Sequence, residues 1–227
     1  IKNGSRCFSC SRKLKWFDMI PAVSFFMLRG KCRFCKSKIS WQYPLVEIGT
    51  GILFVLLFWN FNVERLFADW ILNFNTFLFL VSWLLVILSW FFFWVASLYD
   101  LRHKILPDRL LLLAFIFGIA ALVFSYFLPT TSYQLLPTNY SFLDIVYQFG
   151  VGAAAFFFFF VLWFFSRGRW MGLGDAKFAF ALTPFFLPLN LLMAIILSFF
   201  IGSIIGILLL FLGRAGWKTQ IPFGPFL

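Results

Sequence analysis

The chain has 227 residues, of which 63% are hydrophobic, 23% aromatic and only 12% charged, and its mean hydropathy is +0.94. A soluble domain averages about half apolar and a quarter charged residues, so this composition excludes an ordinary soluble protein and predicts a polytopic membrane protein. The net charge of +11 does not indicate a nucleic-acid partner, because ten of the 19 Lys and Arg residues lie in residues 1–43 and the others at the ends of apolar runs.

Residues 1–43 are polar and basic, and they hold all four cysteines in two C-x2-C pairs. Each pair can present two thiolates to one metal, so the pattern predicts a structural zinc with four protein ligands, in a small zinc-ribbon-like domain. A domain of this size has too small a core to fold alone, and a metal would supply the missing stability. The predicted ligands are Cys7, Cys10, Cys32 and Cys35.

Two other states of these cysteines stay open: a pair of disulfides, and thiols that are redox-active or carry no metal. The charge pattern argues against disulfides, because it places residues 1–43 in the cytoplasm, where thiols stay reduced.

Residues 44–227 are predicted to form an all-α bundle of membrane-spanning helices, since a span needs about 20 mostly apolar residues. The segment 176–188 is short and contains Pro184 and Pro188, so we expect a short helix packed inside the bundle or a broken one. Because the chain opens on Ile1 and ends as another apolar run begins, we expect it to be incomplete at both ends. The predicted spans are 44–61, 74–100, 105–128, 142–166 and 189–212.

Basic connections alternate along the chain with connections that are poor in basic residues, provided that 176–188 crosses the membrane. The positive-inside rule then predicts that four segments face the cytoplasm, and that both Asp100 and Asp175 lie at that side. These segments are 1–43, 101–109, 167–177 and 213–220.

Asp100 and Asp175 are the acidic residues that we single out as a candidate catalytic pair. An ionisable residue inside a membrane protein indicates a functional site by default. Two close carboxylates share a proton, so one can activate a water while the other protonates the carbonyl oxygen or the leaving amine. Gly172 and Gly174 carry no side chain, which would let a substrate backbone approach Asp175. The alternative is that Asp175 caps the helix that follows it.

The remaining acids are expected to have other roles. Solvated surface is the expectation for Asp18, Glu64, Asp69 and Asp144, which lie in or beside predicted loops. Glu47 lies just inside the first predicted span, where a structural role is at least as well supported as chemistry.

Four segments lie in order along nearly the whole chain: the cysteine-rich block 6–47, "YDLRHKILPD" (99–108, the first aspartate motif), "MGLGDAK" (171–177, the second motif) and "IPFGPFL" (221–227). Together they resemble the bacterial type IV prepilin peptidases. "MGLGDAK" (171–177) is similar to the GxGD motif of intramembrane aspartyl proteases, and "YDLRHKILPD" (99–108) resembles its companion motif. The cysteine-rich block 6–47 is similar to the family's cytoplasmic domain, and "IPFGPFL" (221–227) to the segment leading into its last span.

The resemblance implies an aspartyl endopeptidase of the bacterial inner membrane that removes the short basic leader of prepilins or pseudopilins at the cytoplasmic face. It also implies methylation of the new N-terminus with S-adenosylmethionine. Asp100 and Asp175 match the family's catalytic aspartates, Lys177 belongs to the second motif, and Asp108 is given no catalytic role. Many members carry a second aspartate where this chain has Arg102.

Two non-enzymatic functions stay open beside the peptidase. A transporter or channel would place acids near the middle of several spans, whereas here Asp100 and Asp175 lie at one face. A zinc-anchored scaffold protein would use both aspartates as helix caps.

Overall fold

The computed structural model describes residues 5–59, 74–126, 142–213, 216 and 223–226, and these residues divide into two compact units, 1–61 and 62–227. The secondary structure of the described residues is helical apart from two isolated β-bridges. The α-helices are α1 (Val23–Met27), α2 (Gln42–Trp59), α3 (Phe74–His103), α4 (Asp108–Tyr126), α5 (Phe142–Ser166), α6 (Leu173–Ala181) and α7 (Pro188–Phe211). The predicted all-α membrane bundle is thereby confirmed.

The first unit contains the cysteine segment and the apolar helix α2. Each C-x2-C pair lies in a tight turn closed by a bridge, Arg6 with Lys13 in the first and Lys31 with Lys38 in the second. The two turns share their backbone pattern: the residue four positions after the first cysteine donates its N–H to that cysteine's carbonyl oxygen. These donors, Ser11 and Lys36, have φ of 53° and 57°, so the segment contains two copies of one structural unit.

Two acids of the first unit have structural partners. Asp18 forms an ion pair of 2.9 Å with Arg33, and the side chain of Asp18 is only 2% exposed. The expectation that Asp18 is solvated is therefore wrong, because the ion pair draws it under neighbouring side chains. Glu47 accepts a hydrogen bond of 2.7 Å from the N–H of Ala22, the residue that precedes α1, which fits a structural role.

Among the residues that the structure describes, four helices are long and apolar enough to cross a membrane: α3, α4, α5 and α7. An α-helix suits a bilayer because all of its backbone hydrogen bonds close within the segment. The predicted span 44–61 corresponds to α2, whose described apolar part, Gln42–Phe58, is shorter than the other four. Residues 60 and 61, like Glu64 and Asp69, lie outside the described residues.

Helix α3 continues to His103 and does not end at residue 100, the predicted boundary. Its last turn is still helical, and the chain turns only at Lys104, which has φ of 56°. Pro107 then precedes α4, which begins at Asp108 and not at the predicted residue 105. This start is expected, because the residue before a proline avoids the helical region. Asp100 therefore lies one turn inside a helix.

The segment 176–188 is a broken helix inside the bundle. Helix α6 ends at Ala181, a 3₁₀ turn follows at Thr183–Phe185, and α7 begins at Pro188. The buried side chain of Gln148 on α5 donates to the carbonyl oxygens of Thr183 and Phe186. The break therefore recovers backbone hydrogen bonds that it would otherwise lose in an apolar interior.

The core of the second unit surrounds α6. Small residues let the helices approach closely, as is common in membrane bundles, and Ala114, Ala176 and Ala179 have no exposed surface. Phe93 of α3 meets Phe178 of α6 with ring centroids 5.2 Å apart. Because these rings lie on the same helices as the two candidate aspartates, this packing sets where those carboxylates are held.

Candidate active site and metal centre

Asp100 lies in the last turn of α3 and is only 5% exposed. Its Oδ2 accepts a hydrogen bond of 3.1 Å from the backbone N–H of Gly224, which is 124 residues further along the chain. Gly224 is also buried and begins a 3₁₀ turn, Gly224–Phe226. The position of Asp100 is thus fixed by its own helix, and its carboxylate is also bound by a backbone donor that is distant in the sequence.

Asp175 lies in the first turn of α6 and is 8% exposed. Its Oδ2 accepts a hydrogen bond of 3.3 Å from the N–H of Gly172, the residue at which the helix is capped. An acid in the first turn also interacts favourably with the helix dipole. The predicted alternative, that Asp175 is the N-cap, is not what the structure has, because Gly172 is the N-cap and Asp175 is the third residue of α6. The bond to the Gly172 N–H nevertheless orients the carboxylate that is a catalytic candidate.

The two aspartates belong to one cluster of buried groups. Asp100 lies beside Gly224, and Asp175 directly follows Gly174 in the sequence. Leu106, in the connection between α3 and α4, contacts the backbone at both Gly174 and Gly224, so it links the surroundings of the two carboxylates. Two carboxylates removed from water cannot both ionise cheaply, and such a pair holds one proton between them. The arrangement suits acid–base chemistry on a carbonyl group.

The glycines of the second motif lie against protein atoms. A Cβ at Gly174 would lie 2.8 Å from the Cβ of Leu106, so the helix can pack on Leu106 only if residue 174 has no side chain. A Cβ at Gly172 would make an ordinary contact, 3.5 Å from Oδ2 of Asp175. The predicted approach of a substrate over these glycines stays a prediction, and it requires Leu106 to move.

Lys177 of the second motif forms an ion pair of 2.7 Å with Asp108, which joins the second turn of α6 to the start of α4. Both side chains are substantially exposed, 37% for Lys177 and 68% for Asp108. An exposed pair of this kind contributes little to stability, about 0–1 kcal/mol. Asp108 is therefore an exposed acid with a surface partner, whereas Asp100 and Asp175 are buried.

The four cysteines of the first unit form a cluster in which the sulfurs lie within 4.8 Å of one another. All four are free thiols, and Sγ of Cys7 lies 3.8 Å from Sγ of Cys35. A tetrahedral zinc with Zn–S bonds of about 2.3 Å sets its sulfurs about 3.8 Å apart, whereas a disulfide needs about 2.05 Å. The predicted set of four cysteines therefore fits a metal ion.

The thiols are prepared for ionisation to different degrees. Backbone N–H groups of Cys10 and Ser9 lower the pKa of Cys7 to about 6. A backbone hydrogen bond from Arg12 lowers the pKa of Cys10, but burial and the neighbouring Cys7 and Cys35 outweigh it and raise the value to about 11. Four thiolates so close together repel one another, and a cation would remove that repulsion.

Three residues of the second unit were not predicted from the sequence: Leu106, Gln148 and Gly224. Each acts through a contact that joins distant parts of the chain, and a single sequence carries no signal for such contacts. Only the glycine of "IPFGPFL" could have been noticed, as a position that tolerates close approach of another group.

Two family models match the chain. The bacterial peptidase A24 N-terminal domain matches residues 1–61, and the type IV leader peptidase family matches residues 86–207. The first of these matched regions contains the four cysteines, and the second contains both Asp100 and Asp175.

Curated relatives cover almost the whole chain. A prepilin leader peptidase/N-methyltransferase of Xanthomonas campestris is 32% identical over 95% of this chain and 66% of its own length. Proteins of the same name from Stutzerimonas stutzeri and Pseudomonas aeruginosa are 30% and 31% identical over 98% of the chain, each over 68% of its own length. The chain thus spans about two thirds of the length of these relatives. No solved structure matches it.

Proposed function

The chain belongs to the type IV leader peptidase family, as its motifs predicted, and we propose that it is a membrane aspartyl endopeptidase. Its substrates are prepilins or pseudopilins, from which it removes the short basic leader that precedes an apolar helix. The observation that carries this proposal is the pair of buried carboxylates, Asp100 on α3 and Asp175 on α6, at the site of the matching motifs.

The proposed reaction is hydrolysis of one peptide bond by a shared-proton pair. The ionised carboxylate takes a proton from a water molecule, whose oxygen attacks the carbonyl carbon of the scissile bond. The protonated carboxyl group gives its proton to the carbonyl oxygen, and a tetrahedral diol forms. The newly protonated carboxyl group then gives its proton to the amide nitrogen, while the other carboxylate takes a proton from a hydroxyl of the diol. The C–N bond breaks, an acid and an amine are released, and the pair again holds one proton. The low exposure of Asp100 and Asp175, 5% and 8%, limits bulk water around both groups.

Basic side chains surround the end of the bundle at which Asp100 lies. Arg102, Lys104, Arg109, Arg167 and Arg169 are all exposed there. By the positive-inside rule this end faces the cytoplasm, and the family resemblance implies that the membrane is the bacterial inner membrane. Labelling of single cysteines placed at Lys104 and Thr131, in a cysteine-free background, should report opposite sides of the membrane. Equal labelling from outside the cell contradicts this topology.

The metal in this proposal is zinc, bound by Cys7, Cys10, Cys32 and Cys35. Because the four protein ligands leave no open position, zinc would fold the domain and take no part in peptide hydrolysis. The disulfide alternative is not supported, because the four cysteines are free and the Sγ atoms of Cys7 and Cys35 lie 3.8 Å apart.

The second proposed activity is N-methylation of the amine that cleavage releases, since the relatives are named N-methyltransferases as well as peptidases. S-adenosylmethionine would supply the methyl group as a co-substrate, and we assign no described residue to it. The transporter and scaffold alternatives are not favoured, because the chain belongs to a peptidase family and its two buried aspartates cluster at one end of the bundle.

Cleavage of a purified prepilin by the purified chain in lipid tests the proposal. Mass spectrometry should find cleavage between the leader and the apolar helix, and addition of S-adenosylmethionine should add a methyl group to the new N-terminus. Asp100→Asn and Asp175→Asn should each abolish cleavage while the protein stays folded. If Asp175→Asn cleaves at the wild-type rate, the aspartyl-protease proposal fails.

A further inference from the structure

Gly224 contributes the backbone donor to the Asp100 carboxylate described above, and it is buried beside that carboxylate. It lies 49 positions after Asp175 and outside both of the motifs that identify the aspartates. A buried carboxylate that accepts an N–H bond from a fixed backbone is restricted in rotation as well as in position. The 3₁₀ turn at Gly224 therefore helps to determine where Asp100 points.

A side chain at residue 224 would collide with that carboxylate. A Cβ there would lie 2.8 Å from Oδ2 of Asp100, 3.5 Å from its Cγ and 3.3 Å from Cδ2 of Leu106. The φ of Gly224 is not in the left-handed region, so the backbone conformation does not demand glycine. What demands glycine is space, because any side chain would push the Asp100 carboxylate out of its present place.

The segment that carries Gly224 is anchored to two helices by its neighbours. The ring of Phe223 lies 4.6 Å from that of Phe199 on α7 and 6.4 Å from that of Phe159 on α5. Phe226 packs on α7 where Gly202 leaves room, since a Cβ at Gly202 would lie 3.3 Å from the Phe226 ring. Because these contacts already fix the Gly224 N–H, it can orient the Asp100 carboxylate at no further entropic cost.

We propose that Gly224 is a positioning residue for peptide hydrolysis, which sets the orientation of Asp100 through its backbone N–H and through its lack of a side chain. This proposal rests on the proposed function of the same site. It gives the C-terminal segment 223–226 a part in catalysis that does not depend on contact with the reacting bond. It also predicts that catalysis is sensitive to volume at residue 224, even when substrate binding is not.

Gly224→Ala tests the proposal, with Gly150→Ala as the matched control. Gly150 is an exposed glycine of α5, and a Cβ there would meet nothing within 4 Å. A displacement of a catalytic group by about 1 Å can cost about 100-fold in rate. We expect kcat for prepilin cleavage to fall by about 10- to 100-fold in Gly224→Ala, with KM within about twofold of wild type. Gly150→Ala should keep both constants and the thermal midpoint.

A second measurement separates this proposal from the proposed function. Dicyclohexylcarbodiimide labels carboxyl groups in apolar surroundings, and mass spectrometry of the protein without substrate can locate the adduct at Asp100. We expect Asp100 to be labelled faster in Gly224→Ala than in wild type, because the reagent adds to the protonated carboxyl group and Asp100 has lost the N–H donor that stabilises its ionised form. If wild-type protein does not cleave prepilin but this labelling rate rises, the proposed function fails and the contact stands.

Unchanged kcat together with unchanged labelling in Gly224→Ala overturns the proposal, and so does an equal loss of kcat in Gly150→Ala. If Gly224→Ala does not fold, Phe223→Leu decides the matter, because it weakens the anchor without adding volume beside Asp100. We expect Phe223→Leu to lower kcat less than Gly224→Ala and to raise the labelling rate. If a folded Phe223→Leu protein has the wild-type kcat and the wild-type labelling rate at Asp100, the proposal is overturned.

Discussion

Leu106 packs directly on the backbone of Gly174, so closely that a Cβ at residue 174 would lie 2.8 Å from the Cβ of Leu106. The contact joins the connection after α3, which follows the turn that carries Asp100, to the first turn of α6, which carries Asp175. The glycine of the second motif thus allows the two aspartate-bearing elements to approach each other.

The first prediction concerns this contact. Gly174→Ala should destabilise the bundle by about 1–3 kcal/mol, because both contacting atoms belong to rigid parts of the chain and overpacking cannot be relieved locally. The double variant Gly174→Ala/Leu106→Gly should recover part of that loss, because only glycine at residue 106 removes the Cβ that lies 2.8 Å from the added methyl group. Thermal unfolding in detergent measures both. Purely additive effects of the two substitutions would show that the contact does not couple them.

A second prediction concerns Gln148, which donates to two carbonyl oxygens of the broken segment after α6. Gln148→Leu removes this donor from both carbonyl oxygens, of which that of Thr183 still accepts the N–H of Phe186. Leaving a buried acceptor unsatisfied costs about 1–3 kcal/mol, so the expected loss is that of one group. We expect a lower unfolding temperature, although leucine is more apolar than glutamine. Asn190→Leu, at an exposed position of α7, is the control and should not lower it. Equal midpoints for Gln148→Leu and wild type would contradict the structural role.

The third prediction concerns the metal. Elemental analysis should find one zinc per chain, and Cys10→Ser should lower that content while the membrane bundle stays folded. The pKa of Cys7 is lowered to about 6, so this thiolate is present above about pH 6 and is protonated as the pH falls through that value. Zinc affinity should therefore fall on acidification, since metal and protons compete for the sulfurs. Retention of zinc after all four cysteines are changed to serine would contradict the assignment.

The sequence was sufficient to predict the helical bundle because length and hydropathy alone define a span. The predicted span 142–166 coincides with α5, and 189–212 differs from α7 by one residue at each end. The predicted helix boundaries were less accurate where local chemistry decides them. Helix α3 continues past the predicted end at residue 100 and stops only at Lys104, which has a positive φ. Asp18 was misjudged because its partner Arg33 is distant in sequence.

The candidate site was predicted only as far as its motifs extend. Asp100 and Asp175 were recognised because acids at the border of apolar runs are costly and few. Gly224 was not recognised, because its importance comes from a contact with Asp100 across 124 residues. Leu106 looked like any other apolar residue, and only its position between Gly174 and Gly224 distinguishes it.

The last prediction tests whether Asp100 and Asp175 act as one unit. Asparagine keeps the size of aspartate and can still accept the N–H bonds from Gly224 and Gly172, so each single variant should fold. It cannot exchange a proton at neutral pH, so one substitution removes the shared proton and stops the reaction. The double variant should therefore be no slower than either single variant, as found for residues that act together.

Two exposed acids serve as controls for this experiment. Asp108→Asn removes only a surface ion pair with Lys177, and Asp144→Asn changes an exposed side chain at the other end of the bundle. Both variants should cleave prepilin at close to the wild-type rate when initial rates are measured at saturating substrate. Effects of Asp100→Asn and Asp175→Asn that multiply in the double variant would mean that the two carboxylates act in separate steps, since only a shared proton makes the second substitution inconsequential.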